Sequence, residues 1–370
     1  MRNLPRRHDL FGRLNVICPY YTMFPLDFPF RALESAGPES WVFDPFCGRG
    51  TTLYAARLRG LASVGMDSNP VAVAIAAAKL VSTTPDEVAL LAEDILRDSD
   101  RGIDLPDGDF WRWCFHPRTL IEICLLRDYL NSKNLNPSGI VLRALMLGVL
   151  HGPRTKSAPS YLSNQMPRTY ATKPDAAVDF WEKRGLRPRR VDTLELIRRR
   201  AHYLLEALPL RVRGHVFQGD ARRAALRYRP KFTHVITSPP YLGMRCYVSD
   251  QWLRNWFLGA DEDVTYDESQ QMGSSNLQVF TVQLGKVWKR TASICVKGAK
   301  LIARFGAIPS LKQDPADLLR LSLLQSGAPW KVTTIRRVPP MPSARRQANQ
   351  FTSKLQAALK EVDVYARLEE

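Results

Sequence analysis

The chain has 370 residues, of which 53 are Lys or Arg and 36 are Asp or Glu, so its formal net charge is +17 at pH 7. This excess predicts attraction to a polyanion such as nucleic acid, although a solvated basic surface or a membrane-facing patch would show the same charge. No apolar run is long enough to span a bilayer, and the N-terminal segment 1–14 is too charged for a secretory signal. We therefore expect a cytoplasmic protein without a membrane partner, and the six cysteines, which lack metal-ligand spacing, predict no metal.

The first predicted strand, Trp41–Phe43, ends in Asp44 and turns through the G-x-G segment at 48–50 into a helix-like stretch. Such a turn lets the backbone approach a bound nucleotide closely, with the helix N-terminus beneath it. A second strand, Ala62–Met66, ends in Asp67, at the distance from the glycine loop where an acid meets ribose hydroxyls. The pattern indicates a cofactor site, while capping of a helix is the alternative role for Asp67, as it is for Asp220 further along the chain.

A long connection, about residues 81–213, separates the second strand from the third and exceeds what a βαβ link needs. Helical periodicity over 120–127 and 140–149 predicts helices that pack on each other. Between 152 and 174 the chain is rich in Pro, Ser and Thr, with basic and aromatic residues interleaved. We interpret this stretch as a nucleic-acid-facing loop, with a flexible linker as the alternative.

The third and fourth predicted strands are His215–Phe217 and Phe232–Ile236, and the fourth runs into the loop 237–241, Thr-Ser-Pro-Pro-Tyr. The two prolines cannot continue a strand or donate hydrogen bonds. A backbone carbonyl and the Ser238 hydroxyl can therefore accept hydrogen bonds from an NH2 group while the Tyr241 ring stacks on a planar base. The loop predicts a pocket for a planar amine, and an ordinary surface turn is the alternative.

Three further strands are predicted at Lys300–Arg304, Val332–Arg336 and Val362–Ala366. Helix-like or polar stretches separate the first five strands, which favours parallel βαβ units, whereas the last two lack a crossover between them. Two clusters of residues after the predicted amine pocket in sequence each have two interpretations. The aromatic group at 247–257 could wall a flipped base or form an amphipathic helix on the core, and the basic group at 336–347 could be a hairpin beside the site or a solvated loop.

Several motifs together resemble one family. The segment 44–52, Asp-Pro-Phe-Cys-Gly-Arg-Gly-Thr-Thr, resembles the D-P-F-x-G-S-G-T-T cofactor loop of the DNA amino-methyltransferases, with Arg49 where serine is common. These enzymes transfer a methyl group from S-adenosylmethionine to N4 of cytosine or N6 of adenine, and the loop 237–241 is similar to their catalytic motif of the TSPPY type. Segments 22–25, 66–72 and 218–221 resemble their remaining cofactor motifs. Here the cofactor motif precedes the catalytic motif, whereas many relatives with this wording carry the reverse order.

The resemblance implies an α/β, Rossmann-like methyltransferase fold with a seven-stranded, mostly parallel sheet, an antiparallel last strand and a largely helical insertion. Residues 1–80 and 214–370 would form the S-adenosylmethionine-dependent catalytic domain, and the helical, basic insertion 81–213 would be the candidate DNA-recognition region. Asp67 would bind the cofactor ribose and Asp220 its adenine amino group. The residues that the resemblance assigns to the cofactor are Phe24, Pro25, Asp44, Phe46, Gly48, Gly50, Thr51, Thr52, Asp67, Ser68, Asp220 and Ala221.

The implied activity is methylation of an exocyclic amine on a base flipped out of duplex DNA. In this family, serine at the first position of the Ser-Pro-Pro-Tyr motif favours N4 of cytosine as the target. The alternatives are methylation of N6 of adenine, methylation of guanine N2 in RNA or tRNA, and a non-catalytic DNA-binding protein. A cognate restriction endonuclease would fit this class, and the oligomeric state is left open. The predicted catalytic residues are Ser238, Pro239, Pro240 and Tyr241. The predicted DNA contacts are Arg154, Lys156, Tyr161, Arg168, Tyr170, Lys173, Tyr247, Arg345 and Arg346.

Overall fold

The protein is described here by a computed structural model. The residues that the structure describes are 10–20, 24–97, 102–132, 134–152, 159–164, 174–223, 231–242, 251–262, 276–307, 313–338 and 360–369. They divide into two compact units. The sheet unit comprises Tyr20–Ala76, Pro209–Cys246 and Asp267–Glu370, and the helical unit comprises Met1–Pro19, Ala77–Leu208 and Tyr247–Tyr266. The functional division into a catalytic domain and a recognition insertion stays a prediction.

Seven strands form one sheet in the sheet unit. They are β1 (Trp41–Asp44), β2 (Ala62–Asp67), β3 (Gly214–Gln218), β4 (Phe232–Thr237), β5 (Cys295–Ala307), β6 (Trp330–Val338) and β7 (Lys360–Leu368). Their order is β3-β2-β1-β4-β5-β7-β6, and each predicted strand lies within an observed one. The first five strands are parallel to one another, and β7 is antiparallel to both β5 and β6. The predicted fold class, including the antiparallel last strand, is confirmed.

Burial distinguishes the central strands of the sheet from its edge strands. In β1 and β4 nearly every residue is buried, since parallel strands covered on both faces are apolar throughout. The edge strands β3 and β6 are exposed over most of their length. Strands β4, β5 and β7 pack around Phe232, Phe280 and Phe305, which belong to one hydrophobic cluster.

The helices follow in chain order. After a 3-10 helix (Leu10–Val16) come α1 (Asp27–Ala32), α2 (Thr51–Leu58), α3 (Pro70–Ala78), α4 (Pro85–Arg97), α5 (Asp109–Cys114), α6 (Pro117–Leu130), α7 (Pro137–Val149), α8 (Pro174–Glu182), α9 (Thr193–Leu205), α10 (Trp252–Phe257), α11 (Leu277–Ile294) and α12 (Pro315–Gln325). Helices α6 and α7 confirm the helical periodicity predicted within the long connection. Among the described residues, no helix combines the length and apolar character that crossing a membrane requires.

An aromatic cluster forms part of the core of the helical unit. The ring of Trp111 in α5 lies 5.8 Å from that of Trp252 and 4.4 Å from that of Trp256, both in α10. All three side chains are buried. The interpretation of Trp252 and Trp256 as an amphipathic helix docked on the core is therefore confirmed, and the interpretation of these two as walls for a flipped base is wrong.

Candidate functional site

The order of the sheet strands reverses between β1 and β4. From β1 the chain proceeds outward through β2 to β3, and then returns to the other side of β1 for β4 and β5. In an open parallel sheet the carboxyl ends of the strands meet at one edge, and ligands bind in the crevice where the order reverses. The predicted cofactor and catalytic loops leave β1, β2, β3 and β4 at this edge.

Two glycines shape the loop that joins β1 to α2. Gly50 adopts φ +76, and a Cβ atom there would lie 2.8 Å from the Cβ of Ala76, so this position holds the loop against α3. Gly48 adopts φ +48, and a Cβ atom there would meet nothing within 4 Å among the described residues. The backbone at Gly48 therefore borders open space, as the predicted close approach of a ligand requires.

The acid at the end of β2 fastens this loop. Asp67 accepts hydrogen bonds from the backbone N–H of Gly48 at 2.8 Å and of Asn69 at 2.9 Å, one on each oxygen. Burial raises the pKa of Asp67, and these hydrogen bonds oppose the rise. In this arrangement Asp67 supports the glycine loop, a contact that the sequence did not predict, while its assignment to a ribose stays a prediction.

A buried hydrogen bond ties the catalytic loop to the cofactor loop. The hydroxyl of Thr237, the last residue of β4, donates to Oδ1 of Asp44 at 2.6 Å, and the backbone N–H of Phe46 donates to the same oxygen at 3.1 Å. The hydroxyl of Thr52 donates to the carbonyl of Ile236 at 3.2 Å, so a second hydrogen bond joins the same two elements. The segment 237–241 is thereby held beside the start of α2.

Asp44 itself is 0% exposed, and burial raises its pKa to about 6, against the lowering effect of the Thr237 hydrogen bond. Its second oxygen, Oδ2, is buried without a hydrogen-bond partner among the described residues, as is the hydroxyl of Thr51 at the start of α2. Buried polar atoms are normally satisfied. These two therefore mark a place where a ligand with complementary charge would gain free energy.

The acid that follows β3 is held differently. Both oxygens of Asp220 accept from the guanidinium of Arg222, at 2.7 to 3.0 Å, and the backbone N–H of Arg222 adds a further bond at 2.8 Å. Burial would raise the pKa of Asp220, but the hydrogen bonds and charge of Arg222 outweigh it and lower the pKa. The sequence analysis did not single out Arg222, and the predicted contact of Asp220 with an adenine amino group stays a prediction.

The catalytic loop ends in a tyrosine with fixed surroundings. The hydroxyl of Tyr241 donates to Oε1 of Glu361 at 3.2 Å, and its ring meets the ring of Phe305 edge to face, with centroids 5.5 Å apart. Burial raises the pKa of Tyr241 far above its usual range, so the phenol stays neutral. Ser238 is half-buried and Pro239 is buried.

Of the other predicted site residues, Phe24 and Tyr161 lie in the described part of the chain, and most of the predicted DNA contacts lie outside it. Phe24 lies in the sheet unit, where its ring is 5.1 Å from that of Phe28 in α1, and Phe28 faces the guanidinium of Arg304 at 3.9 Å. Tyr161, in the helical unit, packs so closely on Gly152 that a Cβ atom there would overlap its ring. The predicted DNA contacts that lie outside the described residues are Arg154, Lys156, Arg168, Tyr170, Lys173, Tyr247, Arg345 and Arg346.

The strand order and the polar loops at one sheet edge define a Rossmann-like methyltransferase fold. No protein-family model and no curated protein matches the chain. Among solved structures, the chain is similar to the rRNA methyltransferase aviRa from Streptomyces viridochromogenes, at TM-score 0.37 and 14% identity, covering 96% of this chain and 90% of that one.

Two further solved structures show a similar degree of likeness. The geranyl diphosphate C-methyltransferase from Streptomyces coelicolor matches at TM-score 0.37 and 10% identity, over 93% of this chain and 74% of that one. An rRNA methylase from Streptococcus thermophilus matches at TM-score 0.35 and 8% identity, over 95% and 100%. At such low values the fold rests on the strand order itself, and these likenesses carry no inference about substrate.

Proposed function

We propose that this protein is an S-adenosylmethionine-dependent methyltransferase that modifies the exocyclic N4 of cytosine in duplex DNA. The observation that carries the proposal is the 2.6 Å hydrogen bond from Thr237 to Asp44. It joins the loop suited to bind a planar amine with the loop suited to bind a nucleotide cofactor. Two motifs that lie 193 positions apart in sequence thus share one edge of the sheet.

The residues present fit the cofactor. When bound, S-adenosylmethionine supplies an electrophilic methyl group on a positively charged sulfur. Asp44, whose Oδ2 has no hydrogen-bond partner within the described part of the chain, would hold the ammonium group of the methionine part. The Thr51 hydroxyl with the first N–H groups of α2 would hold its carboxylate. The open space at Gly48 leaves room for the nucleoside, with Asp67 and Asp220 supplying carboxylate oxygens for the ribose and the adenine amino group.

The chain's own contribution to the chemistry is positioning and electrostatics. An exocyclic amine is a weak nucleophile because its lone pair is delocalised into the ring. The Ser238 hydroxyl and a proline carbonyl of the loop would accept hydrogen bonds from the two N–H groups, which favours the pyramidal nitrogen with an available lone pair. The target base must leave the stack to reach this loop, at a cost of about a few kcal/mol.

Two features of the sequence support duplex DNA and cytosine. The net charge of +17 favours a polyanionic substrate, because each Lys or Arg placed on a phosphate releases counterions. Serine at position 238, where the resembled family also uses aspartate, favours N4 of cytosine over N6 of adenine.

The test is transfer of a labelled methyl group from S-adenosylmethionine to unmodified duplex DNA and, separately, to tRNA, followed by digestion and mass analysis of the nucleosides. We expect N4-methylcytosine in DNA. N6-methyladenine alone would overturn the choice of base, and labelled tRNA with unlabelled DNA would overturn the choice of substrate.

Ser238→Ala should lower turnover about 100-fold while the dissociation constant of the cofactor stays within about twofold. The matched control is Ser293→Ala, which removes an exposed hydroxyl at the end of α11 and should leave both quantities unchanged. Equal losses of turnover and cofactor affinity in Ser238→Ala would contradict the role of Ser238 as the acceptor for the amine.

A further inference from the structure

We infer that Glu361, on β7, is a positioning residue that sets the orientation of the Tyr241 ring against the substrate base. The inference rests on the proposed function, in which this ring stacks on the base. Position 361 lies 120 residues beyond the catalytic loop, and no motif of the sequence pointed to it.

The first observation is that one cross-strand pair makes two contacts with Tyr241. Glu361 is the register partner of Gly306 across the antiparallel strands β5 and β7. Its carboxylate accepts the Tyr241 hydroxyl at 3.2 Å. A Cβ atom at Gly306 would lie 2.7 Å from Cε2 of the same ring, so only glycine lets the ring approach β5 this closely. The pair therefore fixes both the polar end and one side of the ring.

A third contact comes from the hydrophobic cluster. Phe305, next to Gly306 on β5, meets the Tyr241 ring at an interplanar angle of 76°. Phe305 is itself buried and stacks on Phe280 of α11, with ring centroids 5.9 Å apart. Because the neighbouring ring is held in this way, rotation of Tyr241 about its Cα–Cβ bond would lose the edge-to-face contact and the hydrogen bond together, and rotation about Cβ–Cγ would lose the edge-to-face contact.

The direction of the hydrogen bond matters for the amine. Since the Tyr241 proton is directed to Glu361, the phenol oxygen keeps lone pairs that can accept a hydrogen bond from the hydroxyl of Ser238. A serine that donates to Tyr241 presents its lone pairs, and not its proton, to the substrate. Glu361 would thus favour a substrate group that donates hydrogen bonds, such as NH2, over a carbonyl oxygen.

The test compares Glu361→Gln, Tyr241→Phe and the double variant in the methyl-transfer assay on duplex DNA. Each single variant should lower kcat about tenfold with the cofactor dissociation constant unchanged, because a misplaced group affects the reacting geometry and not the binding of the cofactor. The double variant should be no slower than the slower single variant, since both changes act on the same hydrogen bond: Glu361→Gln takes away its charged acceptor and Tyr241→Phe its donor. Glu369→Gln, which removes an exposed carboxylate just beyond β7, is the control and should match the wild type.

A second measurement does not depend on activity. In protein labelled with 3-fluorotyrosine, the 19F resonance that disappears in Tyr241→Phe should shift in Glu361→Gln and stay in place in Glu369→Gln. An unshifted resonance would overturn the contact. Wild-type kcat in Glu361→Gln, or additive losses in the double variant, would overturn the positioning role alone. A wild-type protein that methylates neither DNA nor tRNA would overturn the proposed function and, with it, the role of Glu361, even where the resonance shifts.

Discussion

Asp44 and Asp220 follow strands of the same sheet edge, yet the protein holds the two carboxylates in opposite ways. Asp44, after the central strand β1, is 0% exposed, and its contacts are a hydroxyl and a backbone N–H, so its pKa rises to about 6. Asp220, after the edge strand β3, has a side chain that is 17% exposed and is paired with Arg222, so its pKa falls. The central acid would gain from a cationic ligand group, whereas the outer acid already has its counter-ion and suits a neutral one.

Among variants that test this difference between the two acids, Asp44→Asn is expected to have the largest effect, which is on cofactor affinity. If Asp44 pairs with the ammonium group of the cofactor, the substitution should weaken cofactor binding about 100-fold, since a buried charge pair is lost. Isothermal titration calorimetry measures this affinity. An unchanged affinity would show that the ammonium group is bound elsewhere.

The same variant should be more stable than the wild type near pH 8. The folded-state pKa of about 6 exceeds the ordinary aspartate pKa of 3.8, so the folded protein keeps a proton that the unfolded chain releases between these two pH values. Stability from this group is therefore full below about pH 4 and is lost as the pH rises through 6, by about 3 kcal/mol at most. In urea titrations Asp44→Asn should gain about 2 kcal/mol near pH 8 and nothing near pH 4. Asp317→Asn, at an exposed position of α12, should show neither change. A variant that is less stable than the wild type near pH 8 would contradict the raised pKa of Asp44.

The next largest effect is expected from loss of the hydrogen bond that joins the catalytic loop to the cofactor loop. Thr237→Val keeps the shape of the side chain but removes the donor to Asp44, and should lower the free energy of unfolding by about 2 kcal/mol at neutral pH. Thr233→Val, on the same strand, removes a hydroxyl that donates to the carbonyl of Trp41, and should cost about 1 kcal/mol or less. If urea denaturation shows equal losses of unfolding free energy in the two variants, the hydrogen bond from Thr237 to Asp44 contributes no more to stability than an ordinary one.

The smallest effect is expected at the outer acid. Arg222→Gln should cost about 1 kcal/mol near pH 7, because its pair with Asp220 is only partly buried, and the cost should disappear in acid as the pH falls through the lowered pKa of the carboxyl. With Asp220 released, cofactor affinity should rise about threefold. Arg223, whose side chain is 85% exposed at 3.8 Å from Asp220, provides the control, and Arg223→Gln should change neither quantity. A tenfold loss of affinity in Arg222→Gln would indicate that the guanidinium contacts the cofactor.

The strands could be predicted because their apolar runs are local. Each of the seven runs fell within an observed strand, and the central pair, β1 and β4, gave the clearest signal since both faces are buried. Strand bounds were less accessible. Observed β5 begins at Cys295, directly after α11, but Lys297 and Gly298 interrupt its apolar pattern, so the sequence predicted a strand only from Lys300.

The contacts that build the candidate site depend on which strands are neighbours in the sheet, and local sequence patterns could not predict these neighbours. Thr237 reaches Asp44 only because β4 returns beside β1. Glu361 reaches Tyr241 only because β7 inserts beside β5. Arg222 is a different case, since it stands two positions after Asp220 and a turn there could have suggested the pair.

The placement of β7 between β5 and β6 has a consequence for synthesis. All other strands of the described sheet leave the ribosome before it, so β5 and β6 emerge with backbone edges that face no partner until residues 360–368 arrive. Unpaired edges of this kind promote association between chains. Pairing of β7 closes these edges of β5 and β6 and also places Glu361 beside Tyr241, so the strand that completes the sheet also completes the surroundings of the catalytic loop.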